Sequence, residues 1–223
     1  MTSPVPTRAH EAGATGTPVG ASLDAGVAAM GISLAAGQRS SLLALIDELR
    51  TWNSRFNLTA IRDPRDMVGK HLLDSLSVQP WLRGSSVADV GTGAGFPGLP
   101  LAVINPGRRF TLIESTSKKA RFVEHAAATL GLGNVEVVNA RAEAYQPPTP
   151  FDTVVCRAVG KVADFVKLAG HLCARNGRMF AMKGRHPEAE LAGLPAGWRV
   201  VAVHRLAVPG LDAQRHLVEL ARH

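Results

Sequence analysis

A glycine-rich segment in the middle of the chain has the residue types of a cofactor-binding loop. It runs Asp89-Val-Gly-Thr-Gly-Ala-Gly95 and stands where a strand must give way to a helix. Glycines at alternate positions let the backbone approach a ligand closely. A dinucleotide fingerprint would place glycine three residues after Gly93, but Phe96 stands there. No Gly-Lys-Ser/Thr sequence is present either, which disfavours a nucleoside triphosphatase. The loop by itself predicts a nucleoside cofactor.

The D-x-G-x-G-x-G spacing resembles the cofactor loop of class I S-adenosylmethionine methyltransferases. Glu114 ends the second predicted strand, Phe110–Ile113, where a carboxylate can accept hydrogen bonds from both ribose hydroxyls of an adenosine cofactor. The alternative for Glu114 is a solvated side chain. Arg141-Ala142-Glu143 follows the third predicted strand, Val135–Val138, where a backbone N–H could bind the adenine edge. Asp89 is expected either to face the methionine amino group or to hold the turn.

The segment at the end of the fourth predicted strand, Thr153–Cys156, helps to identify the chemical group that accepts the methyl. Enzymes that methylate amino groups carry Asn/Asp-Pro-Pro-aromatic here, but this chain has Cys156-Arg157-Ala158-Val159. Cytosine C5 methylation needs a thiolate, often next to proline, and Cys156 is better explained as a packed strand residue. An acceptor with a free lone pair, such as guanine N7, needs no general base. Alignment and the handling of positive charge would then carry catalysis.

Two helices are predicted ahead of the glycine loop. From Ser40 onward, apolar residues recur at three- and four-residue steps, which places them on one helix face. A second helix, about 65–79, is predicted to begin at Pro64 with Asp63 as its N-cap. We expect residues 1–20 to be a disordered tail, residues 21–83 a helical cap and residues 84–223 the methyltransferase domain.

Strand and helix patterns alternate from Ser86 to the end of the chain. This alternation predicts an α/β, Rossmann-like fold with a seven-stranded, mostly parallel sheet. The last two apolar runs, Val200–Leu206 and His216–Leu220, flank Pro209-Gly210 and should form an antiparallel pair that gives the sheet its one antiparallel edge strand.

Net charge and cysteine content indicate which partners the protein attracts and in which cellular compartment it works. The formal net charge of +7 should attract polyanions. The two cysteines, Cys156 and Cys173, form no metal-ligand motif, so we expect no metal and a reducing, cytoplasmic setting. No secretory signal and no run of apolar residues long enough to span a membrane is present.

Many segments, in order, are similar to the RsmG family (also called GidB) of bacterial small-subunit rRNA methyltransferases. They are Trp52-Asn53, Asn57-Leu58-Thr59, Arg62-Asp63-Pro64, His71-Leu72-Leu73-Asp74-Ser75, Asp89 to Gly98, Glu114-Ser115, Lys118-Lys119, Arg141-Ala142-Glu143, Arg157-Ala158, Lys183-Gly184 and Arg215-His216-Leu217-Val218. The resemblance implies methyl transfer from S-adenosylmethionine to N7 of a guanine in the decoding-region loop of 16S rRNA. Cys156 stands where the family often has serine, so no role is assigned to that hydroxyl.

The resemblance also implies which residues bind the cofactor. They are Gly91, Phe96, Ala142, Glu143 and Arg157, to which the physical argument adds Gly93 and Glu114. Arg141, Lys183 and Arg215 fall near strand ends and are predicted to position the RNA and its guanine through O6 or phosphate. We expect the partner to be 16S rRNA, free, in the 30S subunit or in an assembly precursor, and the protein to be a monomer.

Some polar and aromatic residues admit more than one role. His71, Asp74 and Ser75 share one helix side and either face the cofactor cleft or form a packing network. Asn57 could hold its own loop. Phe96 and Tyr145 are candidates for base stacking or for simple packing.

Three other functions stay open at this point. They are a methyltransferase acting on a small molecule or protein, an RNA-binding assembly protein with a degenerate cofactor fold, and an NAD-dependent oxidoreductase.

Overall fold

The structure, a computed structural model, describes residues 18–158 and 160–223. The predicted tail lies outside the described residues except for its last three, which begin a helix, α1 (Pro18–Ala29). Helix α1 was not predicted, because its Ala- and Gly-rich sequence shows no clear apolar stripe. Close packing stabilises it: a Cβ on Gly26 would lie 2.3 Å from Leu73 Cδ1.

The helices before the sheet, α1 to α4, are called the cap below. Helix α2 (Ala36–Phe56) buries the predicted apolar stripe, and Asn57 ends it in the left-handed conformation. Helix α3 (Pro64–Met67) begins as predicted, since Asp63 Oδ1 accepts a hydrogen bond from Arg65 N at 2.8 Å. It continues through a π-helical segment (Val68–Leu73) into α4 (Asp74–Leu76) and a 3₁₀ turn (Gln79–Trp81).

Seven strands form one sheet, as predicted. They are β1 (Ser86–Val90), β2 (Arg109–Ile113), β3 (Val135–Val138), β4 (Phe151–Arg157), β5 (Cys173–Lys183), β6 (Trp198–Leu206) and β7 (Arg215–Arg222), in the order β3-β2-β1-β4-β5-β7-β6. Strands β1 to β5 are parallel, and β7 runs antiparallel to both β5 and β6. The predicted antiparallel pair at one edge is confirmed. Within that pair β6 is the edge strand, and β7, which follows β6 in the chain, lies between β6 and β5.

Helices cover both faces of the sheet. They are α5 (Gly98–Ile104), α6 (Ser117–Thr129), α7 (Val162–Ala169) and the short α8 (Glu188–Leu191). Alternate strand residues enter two separate cores: Val155 packs with the cap, α5 and α6, whereas Val154 and Cys156 pack with α7. Because β1 to β5 are parallel, the loops that follow them gather at the carboxyl-terminal ends of these strands, as in other doubly wound folds. No helix of residues 18–158 and 160–223 is long and apolar enough to cross a membrane.

Candidate active site

The glycine loop leaves β1 in a left-handed backbone path. Gly91, Gly93 and Gly95 have φ values of 65°, 62° and 86°, a region that residues with a Cβ rarely adopt. A Cβ on Gly91 would meet nothing within 4 Å, so this part of the loop borders open space. A Cβ on Gly98 would lie 2.1 Å from Leu112 Cδ2. The first glycines thus leave room for a ligand, whereas Gly98 lets α5 pack onto β2.

Asp89 holds the turn with one of its carboxylate oxygens. Its Oδ2 accepts hydrogen bonds from Thr92 Oγ1 at 2.6 Å and Gly98 N at 2.7 Å. Burial raises the pKa of this carboxyl to about 6. Oδ1 is buried and has no hydrogen-bond partner among the described residues. The structural role expected for Asp89 is therefore present, and a second, unpartnered oxygen remains for a donor from outside the chain.

Glu114 lies buried at the end of β2 and is not the solvated side chain that the sequence left open. Its Oε2 accepts a hydrogen bond from Gly93 N at 3.0 Å, and its Oε1 accepts one from Thr116 N at 2.7 Å. The carboxylate therefore fixes the glycine loop to the end of β2. Each of its oxygens keeps a second lone pair that can accept another hydrogen bond.

A cleft of about 240 Å³, here called the glycine-loop cleft, opens at these strand ends. Its lining residues are Val90, Gly91, Ile113, Ser115, Ala140, Arg141, Ala142, Glu143, Cys156, Arg157, Ala158 and Leu168. Tyr145 lines a different cavity, of about 410 Å³, together with Ser86 and Arg109, the first residues of β1 and β2. Tyr145 therefore does not line the glycine-loop cleft, although its backbone N–H donates to Ala142 O at 3.2 Å.

A second cleft, of about 420 Å³, lies between the cap and the ends of β4, β5 and β7. We call it the arginine cleft. It is lined by Ile61, Lys70, His71, Asp74, Arg157, Ala158, Met182, Lys183, Gly184 and Arg215. Arg157 and Ala158 line both clefts, so the two clefts adjoin. Ala158 has a φ of 63°, a strained value for a residue with a Cβ, and strained backbone of this kind clusters at functional sites.

Asp74 joins two arginines across the arginine cleft. Its Oδ1 accepts a hydrogen bond from Arg215 Nε at 2.9 Å, and its Oδ2 lies 3.5 Å from Arg157 Nη1. Arg157 Nη1 also donates to the backbone oxygen of Lys70 at 3.0 Å. The π-helical segment and α4 thus hold both arginines at the ends of β4 and β7.

His71 is neutral and has both ring nitrogens engaged. Its Nδ1 lies 3.3 Å from Arg157 Nη2, and its Nε2 lies 3.0 Å from Thr59 Oγ1. A guanidinium only donates, so Nδ1 accepts and the proton is on Nε2. Burial, followed by the charge of Arg157, lowers the pKa of His71 to about 3.

Phe96 belongs to this network and not to the lining of the glycine-loop cleft. Its ring is buried, stacks on His71 with centroids 4.6 Å apart, and lies 5.4 Å from the guanidinium carbon of Arg157. It therefore packs the glycine loop against the cap.

Lys183 is tied to the segment that follows β4. Its Nζ donates to Gly160 O and to Glu190 Oε2, the latter at 2.9 Å. The same Glu190 oxygen accepts a hydrogen bond from Val162 N at 3.0 Å. Lys183 thus fixes the loop that carries Ala158, in addition to lining the arginine cleft.

Comparison with known proteins identifies the family. The family model described as "GidB: rRNA small subunit methyltransferase G" matches residues 38–218. The chain belongs to this family. It is accordingly an S-adenosylmethionine-dependent rRNA methyltransferase, which removes the three alternatives left open by the sequence.

Individual relatives agree over most of their length. A protein of Marinobacter nauticus named "Ribosomal RNA small subunit methyltransferase G" is 48% identical over 197 residues, covering 88% of this chain and 92% of the relative. A protein of the same name from Azoarcus sp. is 46% identical over 207 residues, covering 92% and 98%.

Solved structures confirm the fold class of this GidB family member. A SAM-dependent methyltransferase from Aquifex aeolicus superposes with a TM-score of 0.53 at 19% identity, covering 80% of this chain and 97% of that one. One from Thiobacillus denitrificans, in complex with S-adenosyl-L-homocysteine, gives 0.51 at 16% identity, covering 68% and 91%. At these identities the likeness shows the fold alone.

The residues in and beside the glycine-loop cleft fit the cofactor of the GidB family. The space beside Gly91, the remaining lone pairs of Glu114 and the unpartnered Asp89 Oδ1 offer room, acceptors for hydroxyls and an acceptor for an amine. No group of His, Cys, Asp and Glu in the described part of the chain could hold a metal ion.

The structure divides the predicted site residues between the two clefts. Gly91, Ala142, Glu143 and Arg157 line the glycine-loop cleft, and Gly93 and Glu114 are hydrogen-bonded to each other beside it. Of the three predicted RNA-positioning residues, Arg141 lines the glycine-loop cleft, whereas Lys183 and Arg215 line the arginine cleft. Sequence reasoning missed the contacts of Thr59 and Glu190. Thr59 was visible only within the family-like segment, and Glu190 gave no signal.

Proposed function

We propose that this GidB family member transfers a methyl group from S-adenosylmethionine to N7 of a guanine in the decoding-region loop of 16S rRNA. The choice of N7 rests on the hydrogen bonds made by the two ring nitrogens of His71. This histidine is the neutral base of the arginine cleft, yet Nδ1 already accepts from Arg157 and Nε2–H is directed to Thr59. An acceptor that must lose a proton would find both ring nitrogens of His71 engaged and both oxygens of Asp74 bonded to arginines, whereas N7 attacks with a free lone pair and needs no base.

The cofactor-binding residues are proposed from both the family pattern and the geometry. When bound, the cofactor supplies an electrophilic methyl carbon on sulfonium, and the electron pair of the broken C–S bond stays on sulfur. Glu114 would accept the ribose hydroxyls, and Ala142-Glu143 would border the adenine. Asp89 Oδ1 would accept a hydrogen bond from the methionine amino group. Gly91 and Gly93 would let the backbone approach closely, and Phe96, whose ring supports the loop against the cap, would contact the cofactor through its backbone.

The chain's own contribution to the transfer would be alignment. Arg157 and Ala158 stand where the two clefts adjoin, so a guanine in the arginine cleft could present N7 toward the glycine-loop cleft. Holding the lone pair, the methyl carbon and the sulfur in line lowers the barrier without any proton transfer. The cap and the glycine loop would exclude water from this junction.

Arg141, Lys183 and Arg215 are proposed to position the RNA. The last two line the arginine cleft and do not line the glycine-loop cleft, which supports a role toward RNA. We therefore expect Lys183→Ala and Arg215→Ala to lower rRNA methylation by about tenfold or more, the effect of one charge-assisted contact. Cofactor affinity, measured by calorimetry with S-adenosylhomocysteine, should stay within about twofold.

Arg199→Ala is the matched control for these two variants. Arg199 is an exposed arginine near the start of β6, at the edge of the sheet away from both clefts, and its removal should change neither quantity. Normal methylation by the Lys183 and Arg215 variants would show that the proposed RNA face is wrong.

The domain division and the setting of the reaction are part of the proposal. We propose a cap at 21–83, a methyltransferase domain at 84–223, and a monomer that acts in the cytoplasm on 16S rRNA within the 30S subunit or an assembly precursor. The net charge of +7 supports the RNA partner. Methyl incorporation into naked rRNA, 30S particles and protein fractions tests this. Loss of 7-methylguanosine from the rRNA of cells lacking the gene would confirm the reaction, and unchanged rRNA would refute it.

A further inference from the structure

Asp74 is the one carboxylate among the described residues that line the arginine cleft. The other polar side chains there are neutral His71 and the cations Lys70, Arg157, Lys183 and Arg215. Only 4% of the Asp74 side chain is exposed, which places it at the floor of the cleft. Each of its oxygens receives one arginine N–H and has a second lone pair. The cleft therefore presents a pair of adjacent anionic acceptors between two guanidinium donors.

Backbone oxygens of the cleft are weaker candidates for binding a donor. Lys70 O already accepts a hydrogen bond from Arg157, and Gly184 O accepts one from His216 Nδ1 at 2.9 Å. A neutral carbonyl is also a weaker acceptor than a carboxylate. A ligand edge that carries two adjacent N–H donors would therefore bind at Asp74.

Guanine is the RNA base whose Watson–Crick edge has this pattern. N1–H and an N2 amino hydrogen lie side by side, next to the acceptor O6, whereas the other edge carries O6 and N7. Resting on the function proposed above, we propose that Asp74 recognises the target guanine by accepting hydrogen bonds from N1–H and N2–H. A flanking arginine donates to O6. The base is then held by the edge opposite N7, and N7 stays open toward the glycine-loop cleft.

The charge that the reaction creates fits the same assignment. Methylation at N7 places a positive charge on the purine, and the surrounding cations of the cleft would oppose it. A carboxylate hydrogen-bonded to N1–H and N2–H stabilises that charge as it develops. Asp74 would therefore contribute to kcat as well as to the choice of base.

The test compares guanosine with inosine at the target position of 16S rRNA, assembled by ligation and reconstituted into 30S particles. Inosine lacks only the N2 amino group. Loss of one hydrogen bond to a charged acceptor should lower the wild-type kcat/KM about ten- to hundredfold. Asp74→Ala, which has neither acceptor, should methylate the two substrates at nearly equal rates, and Asp74→Asn should give an intermediate ratio. Because the ratio is taken within one variant, a general loss of activity cancels.

Glu219→Gln provides the matched control. Glu219 is another buried carboxylate, bonded to Arg178 Nε at 3.2 Å and to His204 at 2.8 Å, but it does not line the arginine cleft. Its variant should keep the wild-type ratio. Equal use of inosine by the wild type, or a wild-type ratio in both Asp74 variants, would overturn the assignment and leave Asp74 as a support for the arginines. Failure of the proposed function is distinct, since the wild type would then form no 7-methylguanosine in the guanosine substrate.

Discussion

Replacing Glu114 tests loop anchoring and cofactor binding separately, because the carboxylate holds the glycine loop and is also the proposed acceptor of the ribose hydroxyls. Glu114→Ala leaves the N–H groups of Gly93 and Thr116 without their acceptors in a buried site, which costs about 1–3 kcal/mol for each group. The free energy of unfolding should fall by about 2–4 kcal/mol, since some water will reach the cavity. Two ribose hydroxyls bound to a carboxylate contribute about 3–6 kcal/mol, so the Kd should rise by about two to four orders of magnitude.

Two measurements check these values for Glu114. Urea unfolding gives the change in stability, and calorimetry with S-adenosylhomocysteine gives the change in Kd. Glu136→Ala, at an exposed position on β3, is the control and should change neither by a measurable amount. A Glu114→Ala protein that is destabilised as calculated but binds the cofactor within about threefold of wild type would refute the ribose role. The carboxylate would then serve only to anchor the loop.

Two further predictions concern stability. Gly98→Ala should lower the free energy of unfolding by about 1–3 kcal/mol, because its Cβ would lie 2.1 Å from Leu112 Cδ2. Gly107→Ala, whose Cβ would meet nothing within 4 Å, is the control in urea unfolding. Equal stabilities of the two variants would contradict the packing argument. The His71 pKa of about 3 lies below the unfolded value of 6.5, so the unfolded chain binds a proton that the folded chain does not, and stability falls with pH below 6.5. Between pH 7 and pH 5 the wild type should lose about 2 kcal/mol more than His71→Gln, and parallel losses would show that His71 titrates normally.

Local patterns allowed most of the fold to be predicted. Seven strands and the cap helix start at Pro64 follow from the two- and 3.6-residue periods and from the capping chemistry of Asp63. Features set by packing were missed. Helix α1 depends on the contact of Gly26 with Leu73, and a π-helical segment, Val68–Leu73, interrupts the helix predicted at about 65–79. Neither feature leaves a periodic signal in the sequence.

The two clefts differ in how far sequence could describe them. The glycine-loop cleft is built from segments that directly follow strands β1, β2 and β3, so strand order places Gly91, Glu114 and Ala142 together. The arginine cleft joins residues far apart in the chain, with Asp74 bonded to a partner 141 positions away. No local rule predicts such pairs. The family resemblance implied a cofactor contact for Phe96, and the structure adds that its ring is buried against His71, a packing contact that no local pattern predicts.

The ion pairs of the arginine cleft separate two electrostatic tasks. RNA affinity requires cations, yet a transfer to N7 adds a positive charge that nearby cations oppose. Arg157 and Arg215 share the single charge of Asp74, and Lys183 is paired with Glu190, so these two carboxylates offset two of the three positive charges. Arg141, by contrast, has no ion pair within the described residues. Arg141 therefore offers phosphate an uncompensated positive charge outside the arginine cleft, whereas carboxylates already offset most of the cations at the place where charge develops.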